Sequence, residues 1–198
     1  MTKRIVVMIS GGGTNLQALI DSIHSDVFPA EIVAVISNKK SAYGLNRAQN
    51  VDIPTLHFSA KPYTSTGKSR EDYDADLAKQ IAEFNPDLIV LAGWMRILTT
   101  AFLNHFPNRV INLHPALPEE FAGINAIKRA FEAWQAGEIT QSGCMVHYVI
   151  PEVDAGSVIA TEIVPFDAND TLETYSTRLH EVEHRLIVQA TKQALAQI

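Results

Sequence analysis

Cysteine is almost absent from this chain: Cys144 is the only one among 198 residues. No intramolecular disulfide is possible, which excludes the small disulfide-stapled secreted folds. Cys144 lies in the strand-like run GCMVHYVI, where a thiol serves as a small buried apolar side chain. Positive charge is also in deficit. Sixteen Lys and Arg against 22 Asp and Glu leave a formal net charge of −6, and the isoelectric point is near 5.6. That balance argues against a protein that grips nucleic acid by bulk electrostatics, while leaving room for a local basic pocket that binds a phosphate. Long apolar runs are missing too. The first, in MTKRIVVMISGGG, spans about six residues against the ~7–15 of a signal-peptide core, and none approaches the ~18 of a membrane span. The expectation is a cytoplasmic protein with neither membrane nor nucleic-acid partners.

A core is nevertheless available. Hydrophobic residues make up 46% of the chain and charged residues 19%, too few for a disordered segment. RIVVMIS, EIVAVIS and DLIVLAGW are nearly continuous in Val, Ile and Leu and read as strands buried on both faces. IPTLHFS reads as a more peripheral strand, and RVINLH as a further one. Between them NLQALIDSIHSD, AYGLNRAQNV and REDYDADLAKQIAEFN carry apolar residues at helical spacing. This alternation predicts parallel strands joined by right-handed crossovers, an open α/β sheet flanked by helices. After Pro118 the pattern changes. AIKRAFEAWQAGE reads as a helix, and CMVHYVI and VIATEIVPF as antiparallel strands around the turn-rich PEVDAG. From Thr171 a last helix carries Leu172, Tyr175, Leu179, Val182 and Leu186 on one stripe, capped by Asp170 or Thr171. No repeat or linker interrupts the chain, so residues 1–198 are read as a single domain.

Three stretches carry chemistry. SGGGTN, residues 10 to 15, follows the first strand and opens the first helix, where glycines let backbone amides approach an anion. A dinucleotide fingerprint would place a third Gly at Leu16 and an acid after strand two, where ISNKK stands, so a single phosphate suits the loop better. In VINLHPALP, Asn112 and His114 sit at i and i+2 and project to one face, about 7 Å apart by strand rise. Pro115 biases His114 toward extended backbone and stops the strand. An amide and an imidazole held at a stiff strand end suit a reaction site; a strand terminus that merely meets water is the plainer alternative. In HYVIPEVDAG, Asp154 lies on an inter-strand loop. If it reaches His114 it favours the imidazolium, and the histidine pKa should lie above about 6.5. His147 reads as a packed, hydrogen-bonded core histidine.

Together, ISGGGTNLQALID, NLHPALP, GCMVHYVIPEVDAG and the terminal HEVEH resemble the folate-dependent phosphoribosylglycinamide formyltransferase family over essentially the whole chain. The resemblance implies formyl transfer from 10-formyltetrahydrofolate, a co-substrate, to the amine of glycinamide ribonucleotide in purine synthesis, with no metal. It implies Asn112, His114 and Asp154 as the catalytic residues. It assigns Gly13, Thr14, Asn15 and Glu183 to the ribonucleotide. Arg70, Met95, Arg96, Ile97, Leu98, Ile150, Pro151, Glu152 and Val153 fall to the folate. A monomer or homodimer is expected. Asn125, Glu119 and Ser157 depart from residues common in the family and leave contacts near residues 119 to 127 open. Two other readings stay in view. One is a different formyltetrahydrofolate user, acting on charged tRNA or hydrolysing the donor. The other is a non-catalytic phosphate-binding module.

Overall fold

The computed structural model describes residues 2–25 and 28–198. The chain runs β1 (Lys3–Ile9), α1 (Thr14–His24), β2 (Ala30–Ser37), α2 (Tyr43–Gln49), β3 (Thr55–His57), α3 (Lys61–Ser65) and α4 (Arg70–Ala82). It continues through β4 (Leu88–Leu91), α5 (Thr100–Leu103), β5 (Val110–His114), α6 (Ala126–Gln135), β6 (Gln141–Tyr148), β7 (Val158–Pro165) and α7 (Leu172–Leu195). The first helix, expected to reach Asp26, ends at His24; Asp26 itself lies outside the described residues.

All seven strands form one sheet in the order β3-β2-β1-β4-β5-β6-β7. The first five pair in parallel, and β6 and β7 join antiparallel at one side. Parallel strands with both faces covered need no polar alternation, which is why β1 and β4 read as unbroken apolar runs. Ile5, Val7 and Ile9 face one core with Leu16, Leu19, Tyr175, Leu179 and Leu186, beneath α1 and α7. Val6 and Met8 face the other with Tyr73, Leu77, Ile81 and Phe102, beneath α4 and α5. Cys144 is fully buried, and burial pushes its thiol up to about 12.

Two helix starts are set by side chains. The Ser69 hydroxyl accepts from the Asp72 amide while Asp72 accepts from the Ser69 amide, a reciprocal capping box on α4. Thr171 rather than Asp170 caps α7; Asp170 instead pairs with Arg178. The short helices α3 and α5 were not anticipated, having too few residues to show a period. Two strands are shorter than expected: β3 keeps only Thr55–His57 at the sheet edge, and β4 stops at Leu91.

The topology positions the site. From β1 the chain turns to β2 on one side, and β4 occupies the other, so the connections diverge between β1 and β4. In open α/β sheets the crevice beyond the carboxyl ends of strands at such a point is where ligands bind. The glycine loop leaves β1 there, residues 92–98 leave β4, and His114 ends β5. Ser10 joins the first two loops: its hydroxyl donates to Asn38 Oδ1 at 2.7 Å and accepts from the Met95 amide at 2.8 Å.

Candidate active site

Asn112 and His114 share one face of β5, as their spacing requires, and β6 supplies the opposite wall. The antiparallel register sets His147 directly across from Asn112 and Met145 across from His114. Side chains of directly opposed residues lie on the same face and in contact range. Asp154 comes from the loop after β6, in left-handed backbone (φ 53°) that aspartate tolerates better than most residues. It lies 3.3 Å from His114 Nδ1 through Oδ2 and 3.5 Å from His147 Nε2 through Oδ1. The same carboxylate accepts from Asn112 Nδ2 at 3.3 Å and from the Gly123 amide at 2.8 Å. Residues 40 positions apart in the chain thus converge on one carboxylate.

The hydrogen bonds orient the histidine and the amide. His147 Nδ1 lies 2.9 Å from the Tyr148 carbonyl, which can only accept, so Nδ1 carries the proton. Nε2 then accepts from Asn112 Nδ2 at 3.2 Å. Both N–H bonds of Asn112 therefore point inward, one to His147 and one to Asp154. His147, expected as a core histidine, belongs to this group; its inward alternation was visible in sequence, its partner was not.

Electrostatics corrects one expectation. The imidazole of His114 is held below its ordinary pKa, not above it, because burial outweighs the opposing pull of Asp154; the nearby His147 adds to the lowering. His114 is only 4% exposed, and its Nε2 is buried without a hydrogen-bond partner. Burial also pushes Asp154 upward. The contact with His147, the Gly123 amide and the charge of His114 together outweigh it, and the carboxyl lies below the usual range. The resting pair is a carboxylate beside a neutral ring.

Backbone packing holds both sides of the site. A Cβ on Gly156 would lie 1.7 Å from the Tyr148 carbonyl oxygen, so only glycine lets the Asp154 loop fold back on β6. Opposite, residues 119–125 carry Glu119, Phe121, Gly123 and Asn125 at positive φ. For bulky Phe121 this is strained backbone of the kind concentrated at functional sites. Arg129 donates to the carbonyls of Phe121 and Ala122, and Asp154 takes the Gly123 amide.

A cavity of about 680 Å³ opens onto this group. Arg70, Met95, Arg96, Ile97, Leu98, Ile150, Glu152 and Val153 line it together with Asn112, His114, His147 and Asp154. Pro151 lies on the loop but outside the lining. Gly13, Thr14, Asn15 and Glu183 form a second group. Gly13 is the N-cap of α1, with φ 71°, and a Cβ there would meet the Gly44 backbone at 2.7 Å. No side chain caps α1 and no acid occupies its first turn, so its leading amides are available to an anion. Asn15 Nδ2 donates to Glu183 Oε2 at 3.3 Å, and His180 Nδ1 lies 2.9 Å from the same oxygen, a contact that raises the His180 pKa. Among the described residues no group of His, Cys, Asp and Glu is arranged to hold a metal ion, and no helix is long and apolar enough to cross a membrane.

Comparison with known proteins agrees with this architecture. Residues 3–191 match the formyl transferase family. The phosphoribosylglycinamide formyltransferase of Dictyostelium discoideum is 47% identical, covering 97% of this chain and 98% of its own. The crystal structure of the enzyme of that name from Bacillus halodurans superposes with a TM-score of 0.91 at 34% identity, covering 98% of this chain and 96% of that one. That from Coxiella burnetii gives 0.86 at 43% identity, covering 98% and 86%. The chain therefore belongs to the formyl transferase family, among the phosphoribosylglycinamide formyltransferases.

Proposed function

We propose that this chain, acting as one domain over residues 1–198, transfers a formyl group from 10-formyltetrahydrofolate to the amine of glycinamide ribonucleotide in purine synthesis. The observation that carries the reading is the convergence of Asn112, His114 and His147 on the Asp154 carboxylate at one wall of the large cavity. Formyl transfer begins as the amine attacks the formyl carbon and ends as the tetrahedral intermediate expels the folate nitrogen. The incoming nitrogen must lose a proton and the leaving nitrogen must gain one, so a single group can carry it. His114, neutral at rest, takes the proton of the attacking amine. As an imidazolium beside Asp154 it then stabilises the developing oxyanion and returns the proton to the folate nitrogen. Asn112 donates to the oxyanion. Its present contacts, 3.2 and 3.3 Å, are long for N–H donors, so one is readily exchanged for a charged oxygen.

The ribonucleotide phosphate docks on the uncapped amides of α1 at Gly13, Thr14 and Asn15, with Glu183 on the same substrate. The donor occupies the large cavity. Met95 is 67% exposed and Ile97 48%, and with Val153 they form an apolar rim that a ring system would cover. Incubating the purified protein with both substrates and measuring formylated product tests the reading; a folded protein without turnover overturns it.

Two variants separate the parts. Gly13→Val forces a β-branched residue into φ 71° and against Gly44. The expected result is a large rise in KM for the ribonucleotide with donor affinity retained, read by calorimetry on each ligand. Loss of donor affinity instead would assign the loop to the other substrate. His147→Leu keeps apolar packing but removes the acceptor that orients Asn112. It should cut kcat by about tenfold, worth ~1.4 kcal/mol of barrier, with both KM values nearly unchanged. His147→Gln, which can still accept from Asn112, should recover part of the loss.

A further inference from the structure

Residues 119–125, between Pro118 and α6, form a strap beside the large cavity, to which Gly123, Ile124 and Asn125 contribute lining. Every second residue in it, Glu119, Phe121, Gly123 and Asn125, has positive φ. Alternation of that kind turns successive amides to one side of the chain and carbonyls to the other. The bonds follow that division. On the carbonyl side, Arg129 Nη2 donates to Phe121 and, at 2.7 Å, to Ala122, while its guanidinium lies 5.8 Å from the centre of the Phe121 ring. On the amide side, the Gly123 N–H donates to Asp154 Oδ2 at 2.8 Å, and that same oxygen faces His114 Nδ1 at 3.3 Å. The Ala122 carbonyl and the Gly123 amide belong to one peptide group. A cation therefore stands at one end of a single peptide and the Asp154 carboxylate at the other. Among the described residues Arg129 forms no ion pair, and its Nε is buried and unpartnered. Nor does Arg129 line the cavity, so it reaches the reacting groups only through the strap.

We propose that Arg129 is a positioning residue of the reaction, acting through the Ala122–Gly123 peptide to hold Asp154 against His114; this rests on the reading of those two as the reacting pair. A cation on the carbonyl oxygen draws electron density toward itself and leaves the amide hydrogen more positive, so the bond to Asp154 strengthens. The same grip keeps Phe121 in backbone that a bulky residue does not adopt alone. Without it the strap relaxes and carries the Gly123 amide away. Both reacting groups feel the strap. Burial pushes the Asp154 carboxyl up, and the contact with His147 and then the Gly123 amide bring it down. Burial lowers His114; Asp154 raises it, His147 lowers it, the Phe121 backbone raises it and the Arg129 charge lowers it. At His114 the two effects of Arg129 oppose each other, so the Gly123 amide is the cleaner reporter.

The test measures kcat, both KM values and the Gly123 amide proton resonance in wild type, Arg129→Met and Arg129→Lys, with 10-formyltetrahydrofolate and glycinamide ribonucleotide as substrates. Arg129→Met should lower kcat by about tenfold, as a reacting group displaced from a distance does, with the ribonucleotide KM nearly unchanged. The Gly123 resonance, downfield in wild type because the amide is bonded to a carboxylate, should move upfield toward its position in Asp154→Asn. Arg129→Lys keeps the charge and the N–H donors but has a shorter reach and no planar face for the Phe121 ring, and should recover part of both. Melting curves identify the folded variants. If Arg129→Met does not fold, the lysine variant decides by itself, through an intermediate kcat and an intermediate resonance. Wild-type kcat in the folded variants, or a lowered kcat with the Gly123 resonance unmoved, overturns the proposal. A wild type that forms no formylated product overturns the reading of the reaction beneath it, while the Gly123 resonance still reports whether Arg129 holds Asp154.

Discussion

Replacing His114 by alanine lowers kcat by about 10²–10⁴-fold, the usual worth of a proton-transferring side chain, while KM for both substrates moves little. The ring occupies a wall of the cavity, is 4% exposed, and contacts Asp154 at 3.3 Å. His147 does not take its place, since its Nδ1 proton is held by the Tyr148 carbonyl and its Nε2 already accepts from Asn112. The substitution also opens a small void. Circular dichroism and a melting curve establish that the variant folds, and turnover close to wild type in a folded variant removes His114 from the reaction.

Asp154→Asn carries the second large effect, through two routes. Removing the carboxylate takes away the larger of the two influences holding the His114 pKa up, the other being the Phe121 backbone, so the ring titrates lower still than its already depressed position. The substitution also breaks a hydrogen bond whichever way the amide turns. Asp154 accepts from Asn112 with one oxygen and from Gly123 with the other, and an NH₂ in either place faces a donor. We expect kcat to fall by about 10²-fold or more, again the scale of a disabled acid–base group, with substrate affinities within a few-fold. NMR titration of His114 decides the matter. Superimposable curves in wild type and variant, with equal turnover, sink the coupling.

The sign of the stability effect follows from the same shift. The folded chain binds the His114 proton less readily than the unfolded chain, whose value is about 6.5. Stability from this group is complete above that pH and is lost as pH falls through the lower, folded value.

Much of this was written plainly in the chain. The Val, Ile and Leu runs of β1, β2 and β4 announce strands covered on both faces, and the period of two puts Asn112 and His114 on one side. The pairing of His114 with Asp154 could be conjectured from residue types. The direction of its pKa could not, because desolvation depends on how deeply the ring sits, and depth belongs to the assembled sheet. His147 is packed and hydrogen-bonded as its alternation suggests, but its place in the site was hidden for a related reason: alternation reveals that it points inward but not which residue the antiparallel strand opposes to it. Phe121 in left-handed backbone was equally hidden. No local preference favours it, and the conformation survives because Arg129 grips its carbonyl and Asp154 grips Gly123.

The pairing of β5 with β6 also divides the chain by its tolerance of insertion. Side chains alternate between sheet faces, so parity, not proximity, decides what reaches the cavity. One added residue between Gln141 and Val146 would shift the rest of β6 by a single step against its neighbours. His147 would turn away from Asn112 and an apolar side chain would take its place. Extra residues between α6 and β6 change no parity and can be looped out. A position at the far end of β6, remote from any reacting atom, is therefore under stricter length control than the loop that leads into it. The chain keeps a frame there much as a coding sequence does, with the hydrogen-bond ladder counting in twos.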